Sequence, residues 1–237
     1  MSLQPREERE PRVPGARRSD PDSLPGAGII ELKARRERGR PKVRSDEQQR
    51  DVIVSQATQL FLKSGFVAMR MDDVAAQCGM SKRTLYRLFP SKLDLFRAMV
   101  EMHRHSMVTF SPAFEGLPLD EALAAIFGVD VDLETDRRRV AFIQLTVQEA
   151  RQIPELSEIL REEGGERAKI LLTEWFARRS RTTGLNIADP RAASSILMDM
   201  IFGAVALKSP TEPSLPGGGD RRAHMHQCIQ YFVHGVK

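Results

Sequence analysis

Met71-Asp72-Asp73-Val74-Ala75-Ala76-Gln77-Cys78-Gly79-Met80-Ser81-Lys82-Arg83-Thr84-Leu85-Tyr86-Arg87-Leu88-Phe89-Pro90 reads as two short helices joined by a tight turn. The first spans Met71 to Gln77 and carries Val74 and Ala75 on its apolar side. Cys78-Gly79 ends it, Ser81 caps the second, and Pro90 closes the second by disfavouring helix in the residue before it. Leu85, Leu88 and Phe89 recur at helical spacing and can pack on the first helix. Lys82, Arg83, Tyr86 and Arg87 fall on the opposite side. These proportions are those of a helix-turn-helix, whose second helix enters the major groove of DNA. Three cations and an amphipathic phenol on one stripe suit that use, because Arg or Lys can pair guanine O6 and N7. By charge alone the stripe also suits a plain solvated face.

Outward from this pair, helix signals recur almost to the end, and no strand-like alternation of useful length is present. Upstream, Ser45 with Gln48 forms a capping box for a helix from Asp46 to about Ser64, stopped by Gly65. Downstream, Ser91 with Asp94 caps a helix from Lys92 to about Phe110. Five further helices are predicted at about Leu119–Val131, Asp136–Gln152, Glu155–Thr182, Pro190–Lys208 and Arg221–Val236. Prolines and glycines punctuate them, and Gly164-Gly165 predicts a kink inside the longest. The expected fold is all-α, with an N-terminal three-helix helix-turn-helix domain followed by a C-terminal helical bundle. The domain reading is a disordered leader with a basic arm at 1–44, the helix-turn-helix domain with its connector helix at 45–110, and a C-terminal helical domain at 111–237, to which the resemblance given below assigns effector binding and dimerisation.

The 237 residues are 41% apolar and 29% charged, ordinary for a globular chain. No apolar run reaches the roughly 18 residues of a membrane span, so no membrane partner is expected. Two cysteines, Cys78 and Cys228, cannot form a disulfide framework. The polar start has no signal-peptide core, and a cytoplasmic protein is expected. Five prolines in the first twenty-five residues, with mixed charge, predict a leader that does not fold alone. Net charge is only +4, but residues 1–45 hold twelve Lys and Arg against seven Asp and Glu. The basic excess therefore lies at the end that a polyanion would meet.

Residues 45–100 resemble the DNA-binding domain of the tetracycline-repressor (TetR) family of transcriptional regulators. The resemblance rests on Ala57-Thr58-Gln59-Leu60-Phe61, Ser64-Gly65-Phe66, Met71-Asp72-Asp73-Val74-Ala75, the stretch Cys78–Phe89, and Pro90-Ser91-Lys92-Leu93-Asp94-Leu95. It implies a homodimeric, ligand-responsive regulator, expected to be a repressor, on a pseudo-palindromic double-stranded operator. By position, Lys82, Arg83, Tyr86 and Arg87 resemble recognition-helix contacts, and Thr84 and Lys92 resemble phosphate contacts. Where the family often has Ser or Thr before its second helix, this chain has Met69-Arg70, and Arg70 is expected to supply that phosphate contact. Upstream, Arg38-Gly39-Arg40-Pro41-Lys42 resembles an AT-hook core. Arg38, Arg40 and Lys42 could follow a narrow A·T minor groove, which concentrates negative potential, or serve only as a basic linker.

Residues 136–160 resemble one subgroup of TetR-type effector domains, which accept diverse ligands, so the resemblance implies a site but not its ligand. An aromatic-lined cavity around Phe142 and Trp175 would take a small apolar or amphipathic effector. Phe127, Phe142, Leu145, Leu172, Trp175, Phe176 and Met198 are candidate pocket lining, although each also suits a plain core position. The last two helices carry Ile196, Leu197, Met200, Ile201, Ala204 and Val205, then Ile229, Phe232 and Val233. In this family such helices pair with their symmetry mates as the dimer interface. His224-x-His226-x-Cys228 does not read as a metal site, because His226 points elsewhere on a helix. No cofactor is implied. The chain has no phosphate-binding glycine loop, nucleophile elbow or His-Glu-x-x-His pair, so an enzyme is not expected. The alternative reading is an A·T-preferring architectural DNA-binding protein without an effector.

Overall fold

The computed structural model describes residues 45–183, 185–206 and 220–235, with 204–206 as backbone only. The described residues lie in one compact unit and contain no strand.

Ser45 caps α1 (Asp46–Ala68): its side chain accepts from the Gln48 backbone N–H and the Gln48 side chain returns the bond, while Asp46 and Glu47 occupy the first turn. Gly65 interrupts this helix at φ 76° and ψ 174°, a region open essentially only to glycine. There follow α2 (Met71–Gln77), α3 (Lys82–Leu88) and α4 (Lys92–Met107), the last with the Ser91–Asp94 capping box in place. After a 3-10 turn at Pro112–Phe114 come α5 (Leu119–Ile126), α6 (Leu133–Ala150) and α7 (Pro154–Ile159). A π-helical turn at Leu160–Gly165 then leads into α8 (Glu166–Thr183), α9 (Pro190–Ala206) and α10 (Arg221–Gly235).

Several helix boundaries differ from the sequence expectation, and three of them have a clear local reason. Gly128 takes φ 52° just beyond α5, which therefore ends before Val131. Asp132 accepts from the Thr135 backbone N–H, so α6 starts earlier than Asp136. The expected single helix Glu155–Thr182 is broken where Gly164 leaves helical geometry at φ −94° and ψ −111°.

Two apolar clusters hold the elements. The first is built by α1 to α4 around Phe61, which packs on Phe96 and on Phe142 with ring centroids 5.6 and 5.4 Å apart. Phe142, Leu156 and Ile159 belong to α6 and α7, so these two helices plug the core of the first four. The second cluster gathers α5, α8, α9 and α10 around Trp175, Phe176 and Leu123. Buried guanidiniums brace it through backbone carbonyls and one carboxylate, as burial of charge requires. Arg139 donates to Ser106 and Gly128, Arg179 to Phe114, Glu115 and Leu117, and Arg221 pairs with Asp136.

Candidate nucleic-acid interface and effector cavity

The α2–α3 turn is compact because Gly79 takes φ 61°, a left-handed conformation that glycine adopts without strain. The Gly79 and Met80 N–H groups donate back to Ala76 and Ala75 at 3.1 and 3.0 Å. Ser81 then caps α3 by accepting from the Thr84 N–H at 3.1 Å. Val74, Ala75, Leu85, Leu88 and Phe89 are all buried, which fixes the roll of α3. That roll leaves Lys82, Arg83, Tyr86 and Arg87 exposed together.

The cations on this face differ in their attachments. Lys82 donates to Asp72 of α2 at 2.6 Å, and Arg87 makes a bidentate pair with Asp46 of α1 at 2.6 and 2.9 Å. The Arg87 hydrogen bonds hold the Asp46 carboxyl below its usual range, and Asp46 raises Arg87 in return. Both pairs are solvent-exposed, so they orient the side chains more than they stabilise the fold. Arg83 makes no hydrogen bond or ion pair among the described residues, nor does the side chain of Arg70 at the N-cap of α2. Thr84 is half-buried with its hydroxyl 2.9 Å from Ser81 Oγ. Lys92 folds back, donating to the Val67 carbonyl at 3.2 Å over the Phe66 ring, and burial pushes its ammonium down. Arg38, Arg40 and Lys42 lie outside the described residues.

Sequence reasoning missed Arg50. Its guanidinium donates to the Leu88 carbonyl at 2.6 Å and lies 4.3 Å above the Phe89 ring, so a cation on α1 caps the C-terminal end of α3. Its partner lies 38 residues away, and no local spacing marks the contact.

Behind α4 lies a cavity of about 240 Å3, lined by α4, α6, the π-helical turn, α8 and α9. Of the expected lining residues, Phe142 and Met198 border it. Phe127, Leu172, Trp175 and Phe176 pack instead into the second cluster, and half-buried Leu145 packs against the first. His103, Arg104 and Thr146 are lining residues the sequence did not single out. The His103 ring stacks on Phe142 at 4.2 Å, and burial, with Arg139 and Arg221 nearby, lowers its pKa to about 3.

The expected dimer residues also divide. Ile196 is 56% exposed and Met200 half-buried, whereas Leu197, Ile201, Ile229, Phe232 and Val233 are buried within their own chain. The side chains of Ala204 and Val205 lie outside the described residues. Exposed apolar surface also appears at Tyr231 on α10 and Ile170 on α8. The Cys228 thiol lies 3.4 Å from His224 Nε2 and from the Met200 carbonyl, and no group of three metal-ligating side chains occurs among the described residues.

No described helix is long and apolar enough to cross a membrane. Residues 53–99 match the family described as "Bacterial regulatory proteins, tetR family", and residues 121–234 match "AefR-like transcriptional repressor, C-terminal domain". The HTH-type transcriptional activator FasR of Mycolicibacterium smegmatis is 34% identical over 64 residues, covering 27% of this chain and 29% of its own. The chain spans less than half the length of the curated relatives it matches. The solved structure of the Flavonoid-responsive Regulator FrrA superposes with a TM-score of 0.54 at 27% identity, over 80% of this chain and 97% of its own. Salmonella enterica GusR shares the fold with a TM-score of 0.60 at 19% identity, over 82% of this chain and 98% of its own. The helix-turn-helix, the all-helical architecture around it and the two domain matches agree: this chain belongs to the TetR family of transcriptional regulators.

Proposed function

We propose that the protein is a ligand-responsive repressor in the cytoplasm, binding a pseudo-palindromic DNA operator as a homodimer and released by a small molecule. The observation that carries this reading is the outer face of α3, where Arg83 stands unpaired between two tethered cations on a helix locked by its core. Arg83 is the base-reading residue and Tyr86 its apolar neighbour. Lys82 and Arg87 exchange their carboxylates for DNA on docking, and Thr84, Arg70 and Lys92 serve the phosphates. The arm bearing Arg38, Arg40 and Lys42 follows a flanking minor groove. The cavity behind α4 supports an effector, as does the likeness to a flavonoid-responsive regulator. Its lining takes in α6, a helix that also contributes Phe142 to the core of the DNA-binding helices. A ligand there can shift the population of α3 spacings that fit the operator.

Titrations of DNA against salt test this. Arg83→Ala is expected to cost about 1–3 kcal/mol on the preferred operator and little on random sequence. Deleting residues 1–43 is expected to reduce the slope of log K against log salt by about 0.9 per lost phosphate contact, with operator-core selectivity kept. Equal losses for Arg83→Ala on operator and random DNA would remove that residue from base readout.

A further inference from the structure

The cavity behind α4 has walls of Val100, Met107, Ile143, Val147, Leu160 and Phe202, with Phe142 and Met198 completing them. An apolar cavity of about 150 Å3 holds one benzene ring. At about 240 Å3, this one has room for one ring or a fused pair. Apolar walls alone would accept any hydrocarbon of that size.

The cavity surface itself is almost wholly apolar, but buried polar atoms of its lining residues lie just behind it and narrow the choice. His103 Nε2, Arg104 Nη1 and Thr146 Oγ1 are all buried without a hydrogen-bond partner. A buried polar atom left unpaired is costly, so three on residues that line one cavity, each able to donate, call for a common acceptor. They are also brought near one another by the fold. His103 and Arg104 are neighbours on α4, and Thr146 stands one turn from Phe142, on which His103 stacks. Thr146 is fully buried and Arg104 is 8% exposed.

Glu101 and Glu163 act on Arg104, and Asp136 and Asp132 on Arg139, but none of these carboxylates is in ion-pair contact with its guanidinium among the described residues. Arg104 donates to the Glu163 carbonyl oxygen and approaches the His105 ring, and forms no ion pair among the described residues. Arg139, which acts electrostatically on His103, is satisfied by two carbonyls. Only Arg221 has a carboxylate partner, Asp136. Two buried guanidiniums with no carboxylate in contact, beside a neutral imidazole, favour an acceptor that carries negative charge.

We infer that the cavity takes a compact aromatic acid, one ring or a fused pair bearing a single carboxylate or phenolate oxygen. Its ring packs on Phe142 and Met198. Its oxygen accepts from the Thr146 hydroxyl, the His103 ring and the Arg104 guanidinium, with all three side chains turning to meet it. The inference rests on the effector reading above and narrows it to one chemical class.

The full chain should be titrated by calorimetry, with melting temperature as a second readout, using three probes on one skeleton: 2-naphthoate, 2-methylnaphthalene and 2-naphthylmethylamine. The expected order is 2-naphthoate tighter than 2-methylnaphthalene by tenfold or more, with no binding of the amine. Thr146→Val, which keeps the shape and removes the hydroxyl, is expected to cut that preference by threefold or more. Ala168→Phe, which fills the cavity, is expected to abolish binding. If 2-methylnaphthalene binds as tightly as 2-naphthoate and Thr146→Val changes nothing, the acidic ligand is overturned while the effector reading stands. If 2-naphthoate binds Ala168→Phe unchanged, it occupies another place and the inference fails. If none of the three binds, both the inference and the cavity's role in sensing fall.

Discussion

His103 is held uncharged by its surroundings, which makes the fold acid-sensitive in a definite window. Burial first, and then the guanidiniums of Arg139 and Arg221, lower its pKa from 6.5 to about 3. The unfolded chain therefore takes up a proton on this ring at a pH where the folded chain does not. Stability is complete above pH 6.5 and is lost as pH falls from there towards 3, by at most about 1.4 kcal/mol per unit. The residue as a whole is half-buried, so a loss of about 1–2 kcal/mol is expected at pH 5 relative to pH 7.5. Urea unfolding at both values should show it, and His103→Phe should flatten it. The carboxylates with lowered pKa values, Asp46, Asp130, Asp132 and Glu158, act at lower pH and leave this interval to the histidine. An unchanged pH dependence in His103→Phe would mean that another group titrates. Nothing in the sequence marked His103, because its neighbours come from α6 and α10, 36 and more residues away.

At the level of elements, the helices that local chemistry terminates were the most legible. Residues 71–77 and 82–88 are bounded by Gly79, Ser81 and Pro90, and the structure gives α2 and α3 those limits. The capping boxes at Ser45 and Ser91 were equally readable, because cap and partner lie three residues apart. The long segment after Pro154 was not, since its apolar spacing continues through Gly164 while its backbone does not. The outward face of α3 could be read from period alone, but the carboxylates that tether it could not: Asp46 is 41 residues from Arg87. Gly65 shows how one backbone angle sets an element's end. An added Cβ there would strike the Glu149 carboxylate, a flexible group that can yield, whereas φ 76° with ψ 174° cannot be relieved. Gly65→Ala is therefore expected to destabilise by about 1–3 kcal/mol. Adding Glu149→Ala should recover little of it in denaturant midpoints. Full recovery would show that the cost was steric and not conformational.

For the whole molecule, the decisive question is which surface joins two copies. Sequence period placed one apolar stripe on each of α9 and α10, yet a helix with apolar residues on several sides must divide them between its own core and a partner. Leu197 and Ile201 are fully buried and belong to the core, as do Ile229 and Val233 at 1% exposure. Ile196 at 56% and Tyr231 at 66% are left outward on the same two helices. If these helices form the seam, Ile196→Asp buries an unpaired charge only when the dimer forms, and costs the isolated chain little. Sedimentation is then expected to report monomers with a melting transition close to that of the parent chain at low concentration. Operator affinity is expected to fall by roughly a hundredfold or more, since two coupled modules exceed one by about that factor. Ile201→Asp is the contrasting variant: the same charge in a sealed core should unfold the chain and not merely split the dimer. A folded Ile196→Asp protein that sediments as a dimer and holds its operator as tightly as before would place the seam on another face.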